Sequence, residues 1–351
     1  MKQILVYFVL FLFICSCKIT ETENISEEVK QISEEVHQIY TPDIGKLNGK
    51  IYGIVNLSVC NMHSKADHSS EMSTQAILGM PVHILDYDNW YRIQTPDNYI
   101  AWVHRAGIHP MTEEEYNLWN QSEKVVVTRH YGFTYEQPNT NSQTVSDVVA
   151  GNRFRLEAEE EAFYKVIYPD GRKAYLPKTL SKKEKEWRTT LKQDAGNILK
   201  TAYTLMGVPY LWAGTSSKGM DCSGFVRNVL YMHDIIIPRD ASQQAYVGNR
   251  IEIDQDFNNL KEGDLVFFGQ RATTEAKERV VHVGFYIGNK KFIHSQGDVR
   301  IGSFNRDDAA FDEFNLSRLL FATRFLDAIG TPRINTTATN SYYIGVRSGL
   351  E

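Results

Sequence analysis

After Lys2 the chain opens on eleven consecutive apolar positions, Ile4 to Ile14. A membrane-spanning helix needs about 20 apolar residues, so a run this short does not predict a span. A basic start, a short apolar middle and the closing Cys15-Ser16-Cys17 predict an export signal over 1–17. Over 18–44 the chain is rich in Glu, Ile, Ser and Thr. There Ile25, Val29, Ile32 and Val36 keep helical spacing, which leaves a short helix and a solvated tether equally open. The pattern then shifts to strands. Trp90 to Val103 aligns without gaps to Phe163 to Leu176, with Tyr91/Tyr164, Pro96/Pro169, Asp97/Asp170 and Ala101/Ala174 identical. Each segment reads as a strand, a Pro-Asp turn and a returning strand, because proline presets φ and the Asp supplies a short acceptor for the turn backbone. The two segments start 73 residues apart, which fits two consecutive small β-domains, over 45–110 and 124–182, better than a thin solenoid. Between them Thr112, followed by Glu113, Glu114 and Glu115, predicts a short capped helix in a linker over 111–123.

A third pattern fills 190–328. Ile198, Leu199, Ala202, Leu205 and Met206 lie at helical spacing and end at Gly207. Phe225, Val226, Val229, Leu230 and Met232 resume that spacing after Asp221-Cys222. Val280 to Gly288 is mostly apolar and predicts a strand, Gly288-Asn289-Lys290 a turn, and Lys291 to Ser295 the returning strand. The segment 329–351, with Thr336 to Ser341, is polar and is expected to be a mobile tail.

A net charge of −5 and a pI near 6.1 supply no basic stripe, so nucleic acid is not an expected partner. The 12% aromatic content suits small β-domains and carbohydrate- or peptide-binding surfaces. Candidate chemistry gathers around Cys222. Asp221 is a good N-cap, which puts the cysteine in the first turn of a helix, where the dipole favours thiolate. His282 on the predicted strand is the candidate base. His294 on the return strand would orient it if the two side chains share a face. Blander readings stay open: a buried structural thiol, a Cys60–Cys222 disulfide in an exported protein, or a zinc site. Against zinc, no tight ligand cluster is evident, and His63 and His68 lack companions.

Several of these segments resemble known families. Ile14-Cys15-Ser16-Cys17 resembles a bacterial lipobox, which implies lipidation at Cys17. The two hairpin units resemble bacterial SH3-like barrels of cell-wall enzymes. Residues 190–327 resemble the NlpC family of papain-like murein cysteine peptidases. The resemblance rests on Pro209-Tyr-Leu-Trp-Ala-Gly214, Asp221-Cys-Ser-Gly-Phe225, Gly263-Asp-Leu-Val-Phe-Phe268, His282-Val-Gly284 and Phe292-Ile-His294. It implies a multidomain fold, two all-β SH3-like barrels followed by an α+β papain-like catalytic domain. Cys222 would then be the nucleophile, His282 the base, His294 the third member, and Tyr210 a neighbour of the thiol and oxyanion site. Two departures stand out: Ala213 occupies a position where the family often has Gly, and 269–281 reads as a longer, charged loop.

The whole layout resembles endopeptidases that recycle murein peptides by cutting γ-D-glutamyl from L-lysine or meso-diaminopimelate when the stem begins with free L-alanine. That likeness implies an anionic pocket for the amine, with Asp240 and Glu71 as its carboxylates and Ser223 with Tyr99 or Trp102 closing it. It implies murein stem peptides as the partner, a lipid anchor to the membrane, an exported envelope location, and neither metal, cofactor nor obligate protein partner. Alternative readings are a non-catalytic murein-binding lipoprotein and an amidase or acyltransferase on the same core.

Overall fold

In the computed structural model of the chain, residues 45–346 are described. The expected export signal, the tether and Cys17 lie outside them. Among the described residues no helix is long and apolar enough to cross a membrane.

The first sheet contains β1 (Tyr52–Val55), β2 (Val59–His63), β3 (Met72–Ile77), β4 (Pro81–Tyr87), β5 (Trp90–Gln94), β6 (Ile100–His104) and β7 (Ile108–Met111). The second contains β8 (Lys124–Val127), β9 (Tyr131–Tyr135), β10 (Thr144–Val149), β11 (Arg153–Glu159), β12 (Phe163–Ile167), β13 (Lys173–Pro177) and β14 (Ser181–Lys183). Their strand orders are β3-β2-β6-β5-β4-β1-β7 and β10-β9-β13-β12-β11-β8-β14, so each strand of one has its counterpart seven places on. The sequence repeat is therefore a repeat of topology. Both repeated hairpins pair in equivalent register, Ile93 opposite Ala101 and Val166 opposite Ala174. At the turns Asn98 and Gly171 carry φ of 63° and 90°, the left-handed conformation that Asn and Gly tolerate. Helix Glu113–Gln121 joins the sheets, and its capping box is complete: the Thr112 hydroxyl accepts from the Glu115 N–H, while Glu115 accepts from the Thr112 N–H.

The third region is an antiparallel sheet in the order β17-β22-β18-β19-β20-β21. Its strands are β17 (Asn249–Ile251), β18 (Leu265–Gln270), β19 (Arg279–Tyr286), β20 (Lys291–Gln296), β21 (Asp298–Ser303) and β22 (Leu319–Arg324), and a small hairpin of β15 (Thr215–Ser216) and β16 (Gly219–Met220) precedes them. Helix Cys222–Tyr231 lays Phe225, Val226 and Val229 on Val283, Phe285 and Ile293, all fully buried. Removing that apolar surface from water is what holds the cysteine's helix to the histidines' sheet. Of the segment 269–281, expected as a loop, residues 271–278 are the connection, and 269–270 and 279–281 belong to the ends of β18 and β19.

The first barrel is docked on this region. Ile236 and Tyr231 are buried in the same apolar cluster as Val82 and Ile93. From the barrel, the Gln75 side chain accepts from the Thr215 N–H at 2.9 Å, and its carbonyl accepts from the Thr215 hydroxyl. Arg153 of the second barrel is almost wholly buried and ion-pairs Glu184 at 3.0 Å beneath the rings of Trp187, Tyr231 and Tyr343.

The mobile tail expected after residue 328 is corrected by the structure. Ile334 is fully buried in the third region's core, and Asn335 exchanges backbone hydrogen bonds with Ile236. The chain then crosses to the first barrel, where the Tyr342 ring stacks on His83 with centroids 4.1 Å apart and its carbonyl accepts from the Tyr116 hydroxyl at 2.8 Å. Composition misleads here because the polar residues bind: Thr337 hydrogen-bonds Asp234 through its N–H and hydroxyl, and Asn340 caps helix Ser341–Ile344.

Candidate active site

Asp221 builds the site's floor. Its carboxylate caps the cysteine's helix by accepting from the Gly224 N–H at 2.7 Å and from the Ala213 N–H at 3.0 Å. The Gly in Asp221-Cys-Ser-Gly has a steric reason, since a Cβ at 224 would come within 2.0 Å of the Gly214 carbonyl. Ala213 sits at φ 62°, in the left-handed region, which is why glycine suits that position. Ala213→Gly removes strain of about 1 kcal/mol. Its thermal midpoint should match or exceed the parent's, and a clear drop in a melting curve would count against this.

The two histidines meet as the resemblance implied. β19 and β20 are antiparallel, and their register sets Gly284 and His294 opposite each other, with His282 on the same face two residues away. A Cβ at 284 would lie 2.8 Å from the Ile293 carbonyl and 3.0 Å from the His294 Cβ, so the glycine of His282-Val-Gly284 lets the strands close. The result is a contact of 2.7 Å between His282 Nε2 and His294 Nδ1, both rings buried. His294 Nε2 is buried without a hydrogen-bond partner among the described residues.

Electrostatics show why the thiol, although at a helix start, needs a base. Burial pushes the Cys222 thiol up to about 11, and the Asp221 charge adds to this. The N–H groups of Val283 and Ser223, and the Arg239 charge, pull the other way. Burial, then His294 and Arg318, hold His282 well below its ordinary value, and burial takes His294 down to about 4. Neither charge is favourable alone. A proton passed from sulfur to imidazole creates both at once, and their attraction in a poorly screened site offsets the desolvation.

Cys222 and His282 open into one cavity of about 910 Å³. Tyr210, Ser223 and Asp240 also line it, and Glu71 and Tyr99 reach in from the first barrel. Burial, followed by the charge of Cys222, raises the Tyr210 hydroxyl. Asp240 has two jobs: it stands at the N-cap of helix Ala241–Gln244 and faces the cavity, where burial raises its carboxyl despite the Arg239 charge. Glu71 accepts from the Trp212 indole N–H at 3.1 Å. Of the two aromatics expected to close the pocket, only Tyr99 lines the cavity. Trp102 does not, because its neighbours Ala101 and Val103 fill the barrel core, so alternation turns it to the other face. Farther along, the cavity wall includes Tyr246 and Arg250, the latter held by Glu278 at 2.8 Å and 3.2 Å.

Arg239 was not singled out from sequence. It is almost wholly buried and donates to Asp221 at 2.6 Å, to the Ser223 hydroxyl at 2.8 Å and to the Thr74 hydroxyl of the first barrel at 2.8 Å. One side chain thus ties the cysteine's cap to the docked barrel. Its signal was present in Pro238-Arg239-Asp240, but only folding supplies the partners. Cys60, the alternative disulfide partner, is a free thiol in the first barrel's core, pushed up to about 12 by burial, and Cys222 is free as well.

Comparison with known proteins agrees with this arrangement. Residues 207–312 match the NlpC/P60 family, and residues 62–108 match the bacterial dipeptidyl-peptidase SH3 domain. The chain is 31% identical over 237 residues to a γ-D-glutamyl-L-lysine dipeptidyl-peptidase of Bacillus cereus, covering 65% of this chain and 68% of that protein. It is 41% identical over 92 residues to a probable endopeptidase NlpC of Escherichia coli, covering 25% of this chain and 53% of that one. In fold it matches the crystal structure of an NlpC/P60 family protein from Bacillus cereus with a TM-score of 0.66 at 24% identity, covering 78% of this chain and 99% of the other. With a buried cysteine at a helix start, a histidine pair on the adjoining sheet and a docked SH3-like barrel, this chain belongs to the NlpC/P60 family and is a cysteine peptidase of that family.

Proposed function

We propose that the protein hydrolyses the amide between γ-D-glutamate and an L-diamino acid, diaminopimelate or lysine, in murein stem peptides that begin with free L-alanine. The observation that carries this reading is the mixed wall of the cavity: Cys222 and His282 come from the third region, and Glu71 and Tyr99 from the first barrel. An ammonium group leaves water at low cost only when a carboxylate meets it. Asp240 and Glu71 supply that charge at the barrel side of the cavity. An intact wall strand has no free amine at this point, and the docked barrel leaves a pocket where an open groove would otherwise run. Similarity to the γ-D-glutamyl-L-lysine dipeptidyl-peptidase of Bacillus cereus supports the same bond.

In the proposed mechanism His282 Nε2–H donates to His294 Nδ1, which leaves His282 Nδ1 with the lone pair that takes the thiol proton. The Cys222 thiolate adds to the γ-carbonyl carbon, and the Tyr210 hydroxyl faces the developing oxyanion. The amide C–N bond breaks as His282 returns its proton to the leaving amine. Water, deprotonated by His282, then hydrolyses the γ-glutamyl thioester and restores the thiol. The export signal and Cys17 support an envelope location with a lipid tether.

The test is product analysis by mass after incubation with L-Ala-γ-D-Glu-diaminopimelate and with its N-acetyl form. L-Ala-D-Glu should appear from the first and scarcely from the second. Equal cleavage of both, or of neither, overturns the reading.

A further inference from the structure

The turn between β5 and β6 is held from both sides. On one side the Asp97 carboxylate, only 1% exposed, makes an ion pair with Arg227 of the cysteine's helix at 3.0 Å. On the other, Asn340 from the C-terminal segment donates its side-chain N–H to the Pro96 carbonyl at 2.9 Å, out of contact with water. Within the turn the Thr95 N–H bonds the Tyr99 carbonyl at 3.0 Å, so what fixes Pro96 and Asp97 also fixes Tyr99. Tyr99 lines the catalytic cavity, and after burial the charge of Asp240 is the main influence raising its hydroxyl. Asn340 is itself well anchored. Its side-chain oxygen accepts from the Tyr342 N–H at 3.1 Å, the Tyr342 carbonyl is held by Tyr116 and Asn120, and the Tyr343 hydroxyl meets that of Tyr231 at 2.8 Å.

We propose that Asn340 is a positioning residue for substrate selection: from the C-terminal strap it fixes the Pro96–Tyr99 turn and keeps Tyr99 beside Asp240 in the pocket for the substrate's amine. This rests on the function proposed above. Cys222, His282 and His294 belong to the helix and sheet of the third region, which the strap enters at Ile334, several residues before Asn340. Losing the Asn340 hydrogen bond therefore releases one of the turn's two restraints, while the ion pair of Asp97 with Arg227 still ties its other side to the cysteine's helix. The amine end of the pocket loosens while the chemistry remains.

The experiment is steady-state kinetics of Asn340→Ala and Asn340→Asp on L-Ala-γ-D-Glu-diaminopimelate and its N-acetyl form, with Cys222 alkylation measured alongside. The Asp variant retains an acceptor for the Tyr342 N–H but lacks the donor for Pro96 and for the Asn335 side-chain oxygen 3.0 Å away. Asn335→Ala, which removes only the second contact and should keep the parent's preference, is therefore measured beside it. Leaving a buried carbonyl unpaired should raise KM for the free-amine peptide about tenfold and lower its preference over the acetylated form by a similar factor. The kcat and the alkylation rate should stay within about twofold of the parent, since neither reports on the turn. Unchanged preference in both variants overturns the proposal, as does a matched fall in kcat and alkylation, which marks a merely structural role. If the parent shows no preference for the free amine, the proposed function fails first and this inference with it.

Discussion

His282→Ala is expected to lower kcat about 1000-fold or more, because the variant loses both the proton acceptor for the thiol and the donor for the leaving amine. The more telling readout is the pH dependence of Cys222 alkylation. In the proposed mechanism the thiolate forms by transfer to His282, so alkylation of the native protein should proceed at neutral pH. With the imidazole gone, burial and the Asp221 charge set the thiol alone, at about 11. The sign follows from the reactive form being the thiolate: below that value its fraction rises about tenfold per pH unit. The variant should therefore be nearly inert at pH 7 and gain reactivity steadily into the alkaline range. An alkylation profile identical to the parent's would remove His282 from the role of base.

Asp240→Asn is the second large effect. The amide keeps the size of the carboxylate and one acceptor oxygen but replaces the charge and the second acceptor by an NH2 donor, which cannot pair with an ammonium group, so the loss reports the ammonium partner. Truncating one member of a buried charged pair costs about 2–5 kcal/mol, which corresponds to a fall in kcat/KM for the free-amine peptide of roughly 30- to 4000-fold. The N-acetyl peptide, with no charge to match, should be turned over at nearly its parental rate. Burial raises the Asp240 carboxyl above its ordinary 3.8. Because the ionised form binds, kcat/KM in the parent should fall with pH through a midpoint above 3.8, and the Asn variant should lack that limb. Equal losses on both peptides would assign Asp240 to capping helix Ala241–Gln244, its other position in the fold.

Local chemistry explains why much of this site was legible in one sequence. Asp221 as a cap, Cys222 in the first turn and the hairpin carrying His282 and His294 depend on neighbours within about a dozen residues, where capping and turn rules apply. The barrel repeat was equally plain, because Pro-Asp-Asn and Pro-Asp-Gly turns are set by proline's φ and by residues tolerant of positive φ. Two expectations needed correction. Trp102 was as aromatic as Tyr99, but it lies within β6 on the face away from the barrel core, whereas Tyr99 sits in the turn before that strand and lines the cavity. The tail from Thr336 to Ser341 read as mobile, since composition does not reveal that Thr337 has Asp234 as a partner or that Tyr342 stacks on His83. The thiol's need for a base was legible beside its place at a helix start, while the burial that raises it was not.

The sequence by itself determined the repeated hairpins, the capped helices, the order of the domains and the candidate reacting groups, because each is encoded in side chains close together along the chain. Only the tertiary structure decided that Arg239 reaches Thr74, that Glu71 and Tyr99 enter the cavity of Cys222, and that the strap returns to Pro96. Those contacts join residues more than one hundred positions apart. Their partners are chosen by the packing of apolar faces, which no local pattern records.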